Sequence, residues 1–142
     1  MVDASVVLKW FLPEPLSTSA DRILNAFLRG RLNLHAPDFL LIEAANALWK
    51  RAILGHGISA RDCQAIYRDL VTLPLNLYPS EQLAGPALDL AVNHKYSLYD
   101  LVYCALALDL RCDLVTSDAT LVSKLGNHLT FIRHLSAVTT WR

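Results

Sequence analysis

The sequence predicts an α/β fold, a central parallel sheet of four to five short strands with helices on both faces. Three observations lead there. Short apolar runs alternate with longer segments of helical periodicity, the pattern of crossovers between parallel strands. The apolar share is 54% and the charged share 18%, which suits a packed core and excludes disorder. The 142 residues contain no linker, repeat or low-complexity stretch, so 1–142 is expected to be one domain.

A very short apolar start precedes Asp3, and Val6 to Leu12 reads as a brief helix that Pro13 stops. Ser17 or Ser19 opens a helix ending near Gly30, with Ile23, Leu24, Phe27 and Leu28 on its apolar face. Leu32 to Ala36 is an expected strand. Asp38 stands at an N-cap position, and Phe39 to Leu54 is a strong helix ending before Gly55 and Gly57. Ser59 caps a helix running to about Thr72, and Leu75 to Tyr78 is strand-like. The next helix reaches His94, with Pro86 either interrupting it or standing at its start. Ser97 opens another helix, Asp113 to Thr116 is a strand, Asp118 starts a short helix, and Leu129 to Ile132 is the last strand.

Charge and composition narrow the function classes. Formal net charge is zero, so any grip on nucleic acid must come from a local patch or a metal ion. Cys63, Cys104 and Cys112 form no CxxC pair and read as core residues of a reduced cytoplasm. No signal peptide is expected before Asp3. The longest apolar run, Leu98 to Leu110, is too short to span a bilayer and contains Asp100. A cytoplasmic protein without a membrane partner is expected.

Asp3, Glu43, Asp100 and Asp118 each adjoin an apolar run, where an unpaired carboxylate is costly. The expected topology brings them to one place. In open parallel sheets ligands collect beyond the carboxyl ends of the strands. Asp3 and Asp118 fall just past two such ends. The helix carrying Asp100 runs back through a short connection to the next strand, so its first turn lies at the same edge. Glu43 is in the second turn of a helix that begins there. Asp113 starts its strand and belongs to the opposite edge, where no role is assigned to it.

Each acid has a structural role to weigh against this. Ser97 and Asp100 have the S-x-x-D spacing of a capping box, and Asp3 and Asp118 are placed to cap the helices after them. Capping does not explain why all four share a rim. Two like charges about 4 Å apart repel by about 4 kcal/mol at an effective dielectric near 20, so such a cluster calls for a counter-ion. Hard oxygen ligands select Mg²⁺ or Mn²⁺ over zinc.

Four segments together resemble a known family: Asp3-Ala4-Ser5-Val6-Val7-Leu8-Lys9-Trp10, Glu43-Ala44-Ala45-Asn46-Ala47-Leu48-Trp49-Lys50, Tyr99-Asp100-Leu101-Val102-Tyr103 and Val115-Thr116-Ser117-Asp118. Their order and spacing are similar to the PIN domain, in particular its VapC branch, the ribonuclease half of VapBC toxin–antitoxin modules. The likeness covers essentially the whole chain. It implies a three-layer α/β/α fold, metal-dependent cleavage of RNA (with tRNA as a target class), homodimers, and a VapB-like antitoxin whose tail blocks the site. It also implies that Asp3, Glu43, Asp100 and Asp118 are the metal-binding and catalytic acids, with Ser5 and Ser117 at positions where the family often has a hydroxyl near the metal.

Supporting residues follow by position. Asn46 lies one helical turn after Glu43 and is expected either to orient it or contact phosphate, or simply to face solvent. Lys9 and Lys50 are candidates for the RNA backbone, although a lone lysine is usually a solvated charge. One departure from the family stands out. Only Met1 and Val2 precede Asp3, where relatives have several apolar residues forming a central strand. Either that strand is stunted, loosening Asp3, or the native chain starts upstream. Adding native upstream residues is then expected to raise thermal stability.

The expected mechanism is hydrolysis at phosphorus. One or two Mg²⁺ ions held by the acids would polarise a non-bridging oxygen, lower the pKa of water and stabilise the leaving oxygen. The resemblance implies 5′-phosphate and 3′-hydroxyl products. Other chemistries lack their motifs: there is no Gly-rich phosphate loop, G-x-S-x-G elbow or H-E-x-x-H. His35, His56, His94, His128 and His134 have no ligand spacing. An aspartyl-nucleophile phosphatase would want an acid two residues after Asp3, where Ser5 stands. The stronger alternative is a partner-binding module that holds a metal or a basic peptide at the acid rim without cutting. The helices from Leu12 to Leu28 and Phe39 to Leu54 have enough apolar residues to form a groove for a partner helix.

Overall fold

Parallel pairing organises the short strands of the computed structural model, which describes residues 1–55 and 57–138. Strand β1 (His35–Pro37) pairs with β2 (Asn76–Tyr78), and β3 (Leu114–Thr116) pairs with β4 (Ile132–His134). Met1 and Val2 lie between the pairs. Val2 forms a parallel bridge with Val115, the Val115 amide donates to the Met1 carbonyl at 2.9 Å, and the Val2 amide donates to the His35 carbonyl at 3.3 Å. The expected continuous sheet is therefore realised as two parallel pairs joined through a two-residue segment. That segment is short, yet Val2 is only 1% exposed.

Two strands sit later in the chain than the sequence suggests. The strand is expected from Leu32 to Ala36; Leu34 is buried, but the ladder with β2 starts only at His35 and runs to Pro37. Leu129 to Phe131 is turn, not strand. The Leu129 amide bonds back to Leu125 and the Ile132 amide to Leu129, so these donors are spent before pairing begins.

The helices are α1 (Ala4–Val7), α2 (Ser17–Leu28), α3 (Phe39–Ile53), α4 (Ala60–Thr72), α5 (Ser80–His94), α6 (Leu98–Leu110) and α7 (Ala119–Leu125). A 3₁₀ turn over Leu8–Trp10 extends α1, in place of the single helix expected from Val6 to Leu12. Neither serine caps α2. Its N-cap is Leu16 at φ 70°, while the Ser17 hydroxyl donates to the Leu12 carbonyl and accepts from the Glu14 amide, closing the preceding loop. Ser59 and Asp62 form a reciprocal capping box on α4, as expected. Helix α5 continues through Pro86. That ring is exposed, and the residue before it is Gly85, which has no Cβ to clash with the proline.

Asp38 occupies the N-cap position of α3 but bonds elsewhere. Its carboxylate accepts from the Ser80 amide at 3.0 Å and from the Ser80 hydroxyl, at the start of α5. The Ser80 hydroxyl in turn accepts from the Phe39 amide at 3.0 Å. Two helix starts thus cap each other, a contact between residues 42 apart that local patterning does not reveal.

Helix α6 is the most enclosed element: every residue from Leu101 to Ala107 is buried. It packs on α5, while α3 packs on α4. Among the described residues no helix is long and apolar enough to cross a membrane.

Candidate active site

The connections set which edge carries the acids. Val2 runs parallel to β3, so the chain leaves the sheet at one edge both at Asp3 and at Ser117–Asp118. Helix α6 returns to β3 through Arg111, which takes the left-handed φ of 51° to end the helix abruptly. Leu98 to Asp100 is thereby carried to that same edge. Helix α3 follows β1 directly and brings Glu43 there in its second turn. Asp113 lies at the far edge as expected, pairing with Arg133 Nε at 3.3 Å while its carbonyl accepts from the Met1 amine at 2.8 Å.

Asp3 is the enclosed member, 9% exposed. Its Oδ1 accepts from the Ser5 hydroxyl at 2.6 Å and from the Val6 amide at 3.1 Å, so it also caps α1. Burial pushes its carboxyl above the usual range; the hydroxyls of Ser5 and Thr116 pull it back, and the charge of Asp118 adds to the rise. These bonds hold Asp3 despite the short segment before it.

Ser5 is a connector. Its hydroxyl donates to Asp3 and accepts from the Ser117 amide at 2.9 Å, tying the turn after Val2 to the turn after β3. The Ser117 hydroxyl donates to the Ser5 carbonyl at 3.4 Å and not to an acid. Asp118 is the N-cap of α7. Its Oδ1 takes the Thr120 amide at 2.8 Å and the Leu121 amide at 3.1 Å, and Oδ2 takes no part in these bonds.

Glu43 on α3 lies within reach of the charge of Asp100 on α6. Burial raises the Glu43 carboxyl; a 2.6 Å hydrogen bond donated by Tyr103 opposes this, and the charges of Asp3 and Asp100 reinforce it. Burial and then the charge of Asp118 raise Asp100, against a lowering contact from Ser97. Ser97 makes no side-chain cap bond to α6, so the capping-box role considered for Asp100 is not formed. The charge of Asp118 thus reaches both Asp3 and Asp100, and the charges of Asp3 and Asp100 reach Glu43.

Those four carboxylates suit a divalent cation by chemistry. They offer only oxygen, and the cost of ionising Asp3, Glu43 and Asp100 is raised by neighbouring acids, which a bound cation would relieve. They do not form a preformed cage: among the described residues no group of three or more His, Cys, Asp or Glu is drawn together tightly enough to hold an ion.

The flanking residues divide. Lys9 donates to Glu14 Oε2 at 2.7 Å, and Arg51 pairs with the other oxygen of the same carboxylate. The Lys9 side chain is only 9% exposed; burial and Arg51 lower its proton affinity while the charge of Asp3 raises it. Lys50 and Asn46 are exposed. Among the described histidines, His35 meets the Tyr78 hydroxyl and His94 lies near His128; His56 is outside the described residues.

Sequence reasoning missed Tyr103, Thr116 and Tyr96. Tyr103 is 2% exposed and its hydroxyl is held well above the usual range by burial and by Glu43. Thr116 is fully buried, contacts Asp3, and accepts from the Asp118 amide at 3.0 Å. Tyr96 is raised by burial and then by the charges of Asp100 and Asp118, and the Lys124 ammonium lies 5.8 Å above its ring. A signal existed for Tyr103: it lies one helical turn after Asp100. Cys104 behaves as expected of a core thiol, pushed up to about 12 by burial and nearby acids.

Two cavities among the described residues lie away from the acids. One of about 570 Å³ opens between α5 and α6, lined in part by Tyr78, Leu83, Pro86 and Leu106. Another, of about 370 Å³, lies between α3 and α4 beside Trp49, Cys63 and Tyr67. None of the four acids lines either.

Comparison with known proteins shows the family. The chain is similar to Ribonuclease VapC3 of Pyrobaculum aerophilum, 29% identical over 127 residues that cover 87% of this chain and 92% of the relative. The family model described as PIN domain matches residues 1–124, a span that contains all four acids and the elements that carry them to one edge. By that match the chain belongs to the PIN-domain family.

Proposed function

We propose that the protein is a metal-dependent endoribonuclease and the toxin of a toxin–antitoxin pair, with Asp3, Glu43, Asp100 and Asp118 as its metal-binding and catalytic acids. The observation that carries this is the gathering of the four carboxylates toward one sheet edge, where Asp118 raises the buried Asp3 and Asp100, and Asp3 and Asp100 raise Glu43. Likeness to a relative named as a VapC ribonuclease supplies the substrate class. Mg²⁺ or Mn²⁺ fits oxygen donors of this kind.

The side chains have separate duties in this reading. Asp3, Asp118, Glu43 and Asp100 would hold the ion. Ser5 fixes Asp3 and, through the Ser117 amide, fixes the turn that presents Asp118. Tyr103 keeps Glu43 oriented and favours its ionised form. When bound, the cation supplies Lewis-acid polarisation of the phosphodiester and a lower pKa for the attacking water. Lys9, held in the Glu14–Arg51 cluster, offers a fixed positive charge near Asp3, and exposed Lys50 offers a looser one to the RNA backbone. Asn46, exposed one turn after Glu43, is free to meet phosphate.

Partner binding fits the same molecule. Trp49, Ile53 and Leu54 are more than half exposed on and just after α3, beside the cleft against α4. We assign this surface to a VapB-like antitoxin whose basic tail would reach the acid rim, and a homodimer is expected. The rival reading is a catalytically inactive module that binds a partner or a metal. It draws on the absence of a preformed three-ligand cage among the described residues.

An RNA-cleavage assay separates the two. Antitoxin-free protein is incubated with single-stranded RNA and with tRNA, in Mg²⁺, Mn²⁺ or EDTA, beside Asp100→Asn. Cutting that needs both metal and Asp100 supports the nuclease. Metal-independent cutting, or full activity in Asp100→Asn, sinks the assignment of the acids. Folded protein that binds metal but cuts no RNA moves the conclusion to the binding module.

A further inference from the structure

An aromatic pair stands at the acid rim that none of the roles above uses. The rings of Phe39 and Tyr99 are stacked, with centroids 5.5 Å apart and planes 13° apart. Tyr99 is the residue before Asp100 in the first turn of α6, and Phe39 is one turn before Glu43 at the start of α3. The pair therefore bridges the two helix starts that deliver these acids. Tyr99 is 64% exposed although Phe39 covers one of its faces.

Phe39 is fixed from behind. Its amide donates to the Ser80 hydroxyl, which is itself bound by Asp38, so the base of the stack is locked to α5. The Phe39 ring packs against the hydrophobic core. Tyr99 rests on a rigid support with a face available for a third ring. Proteins that hold unpaired nucleotides use such faces, because every base has a π-surface and each stack contributes substantially to affinity.

We propose that Tyr99, backed by Phe39, is a stacking platform for an unpaired RNA base next to the scissile phosphate. This rests on the ribonuclease reading and goes beyond it, assigning a substrate-binding residue outside the acids. Stacking of this kind is tolerant of base identity, so the platform selects single-stranded or looped RNA over duplex and does not read a sequence. Tyr99 is a binding residue here; the reacting atoms belong to the acids.

The test uses single-stranded RNA containing 2-aminopurine, whose fluorescence falls when it stacks, together with steady-state cleavage. Wild type and Tyr99→Phe should quench the probe and cut with similar KM. Tyr99→Ala and Tyr99→Leu should lose the quench and raise KM about tenfold, with kcat changed less, in line with one lost base stack. Thermal melts check that both variants stay folded, since an exposed ring contributes little to the core. Cleavage by wild type with KM and quenching unchanged in Tyr99→Ala overturns the platform alone. Rescue by Tyr99→Leu also overturns it, because a merely apolar contact would then suffice. Failure of wild type to bind or cut any RNA overturns the ribonuclease reading and the platform with it. Intact cutting by Tyr99→Ala alongside loss of antitoxin binding would reassign Tyr99 to the protein partner.

Discussion

The Tyr103 hydroxyl donates to Glu43 Oε2 at 2.6 Å, so one hydrogen bond ties the buried helix α6 to α3 across the acid rim. A charge-assisted bond of this length fixes both the orientation and the protonation of the acid. Tyr103→Phe keeps the ring and removes the donor. It should cost about 1–2 kcal/mol of stability, measured by urea unfolding. Losing a contact that favours the ionised form raises the Glu43 pKa further, so the acid limb of divalent-cation binding should move to higher pH. Calorimetric titration across pH checks this; an unmoved limb would show that Glu43 does not depend on Tyr103.

Asp118 both caps α7 and faces the rim, and the two roles can be separated. Asparagine caps a helix about as well as aspartate. Asp118→Asn should therefore unfold within about 0.5 kcal/mol of wild type while cleavage falls by about a hundredfold or more. A parallel loss of stability and activity would reduce Asp118 to its structural part.

Burial places Asp3 above the usual carboxylate range, which sets the sign of a pH effect. The folded state holds this proton more tightly than the unfolded chain, whose Asp titrates near 3.8. Metal-free stability from this group must then fall as pH rises from about 4 through the higher folded pKa. Added Mg²⁺ or Mn²⁺ should restore the melting temperature at neutral pH, and EDTA should remove the gain. Asp3→Asn should flatten both responses. Melting curves with pH-independent, metal-independent midpoints would refute the arrangement.

Ser80 caps across two helices, so Ser80→Ala should cost about 1 kcal/mol, read by chemical unfolding. The same bonds, the hydroxyl contact foremost, depress the Asp38 pKa. Asp38 therefore adds stability that is full above the ordinary aspartate value and is lost as pH falls through its lower folded pKa. The variant should show a shallower loss of stability in acid than wild type.

Much of the fold was legible because its signals are local. The helix of Phe39 to Ile53, the Ser59 cap and the short returns that orient α6 follow from periodicity, capping chemistry and connection length. Strand limits were less legible. Strands of three residues are defined by their partners, and neither the late start of β1 nor the turn that displaces β4 has a local mark. Pro86 misled for a related reason, since its tolerance depends on an exposed face and on Gly85 before it.

The site divides along the same line. By itself the sequence determined which acids stand beside apolar runs and at which ends of their elements, because a parallel α/β chain sends every strand end to a common edge. Only the tertiary structure decided what surrounds them. Tyr103 meets Glu43 across 60 residues, Ser5 receives the Ser117 amide across 112, and Tyr99 stacks on Phe39 from another helix. Such contacts depend on how helices pack against the sheet, and spacing along the chain has no record of that packing.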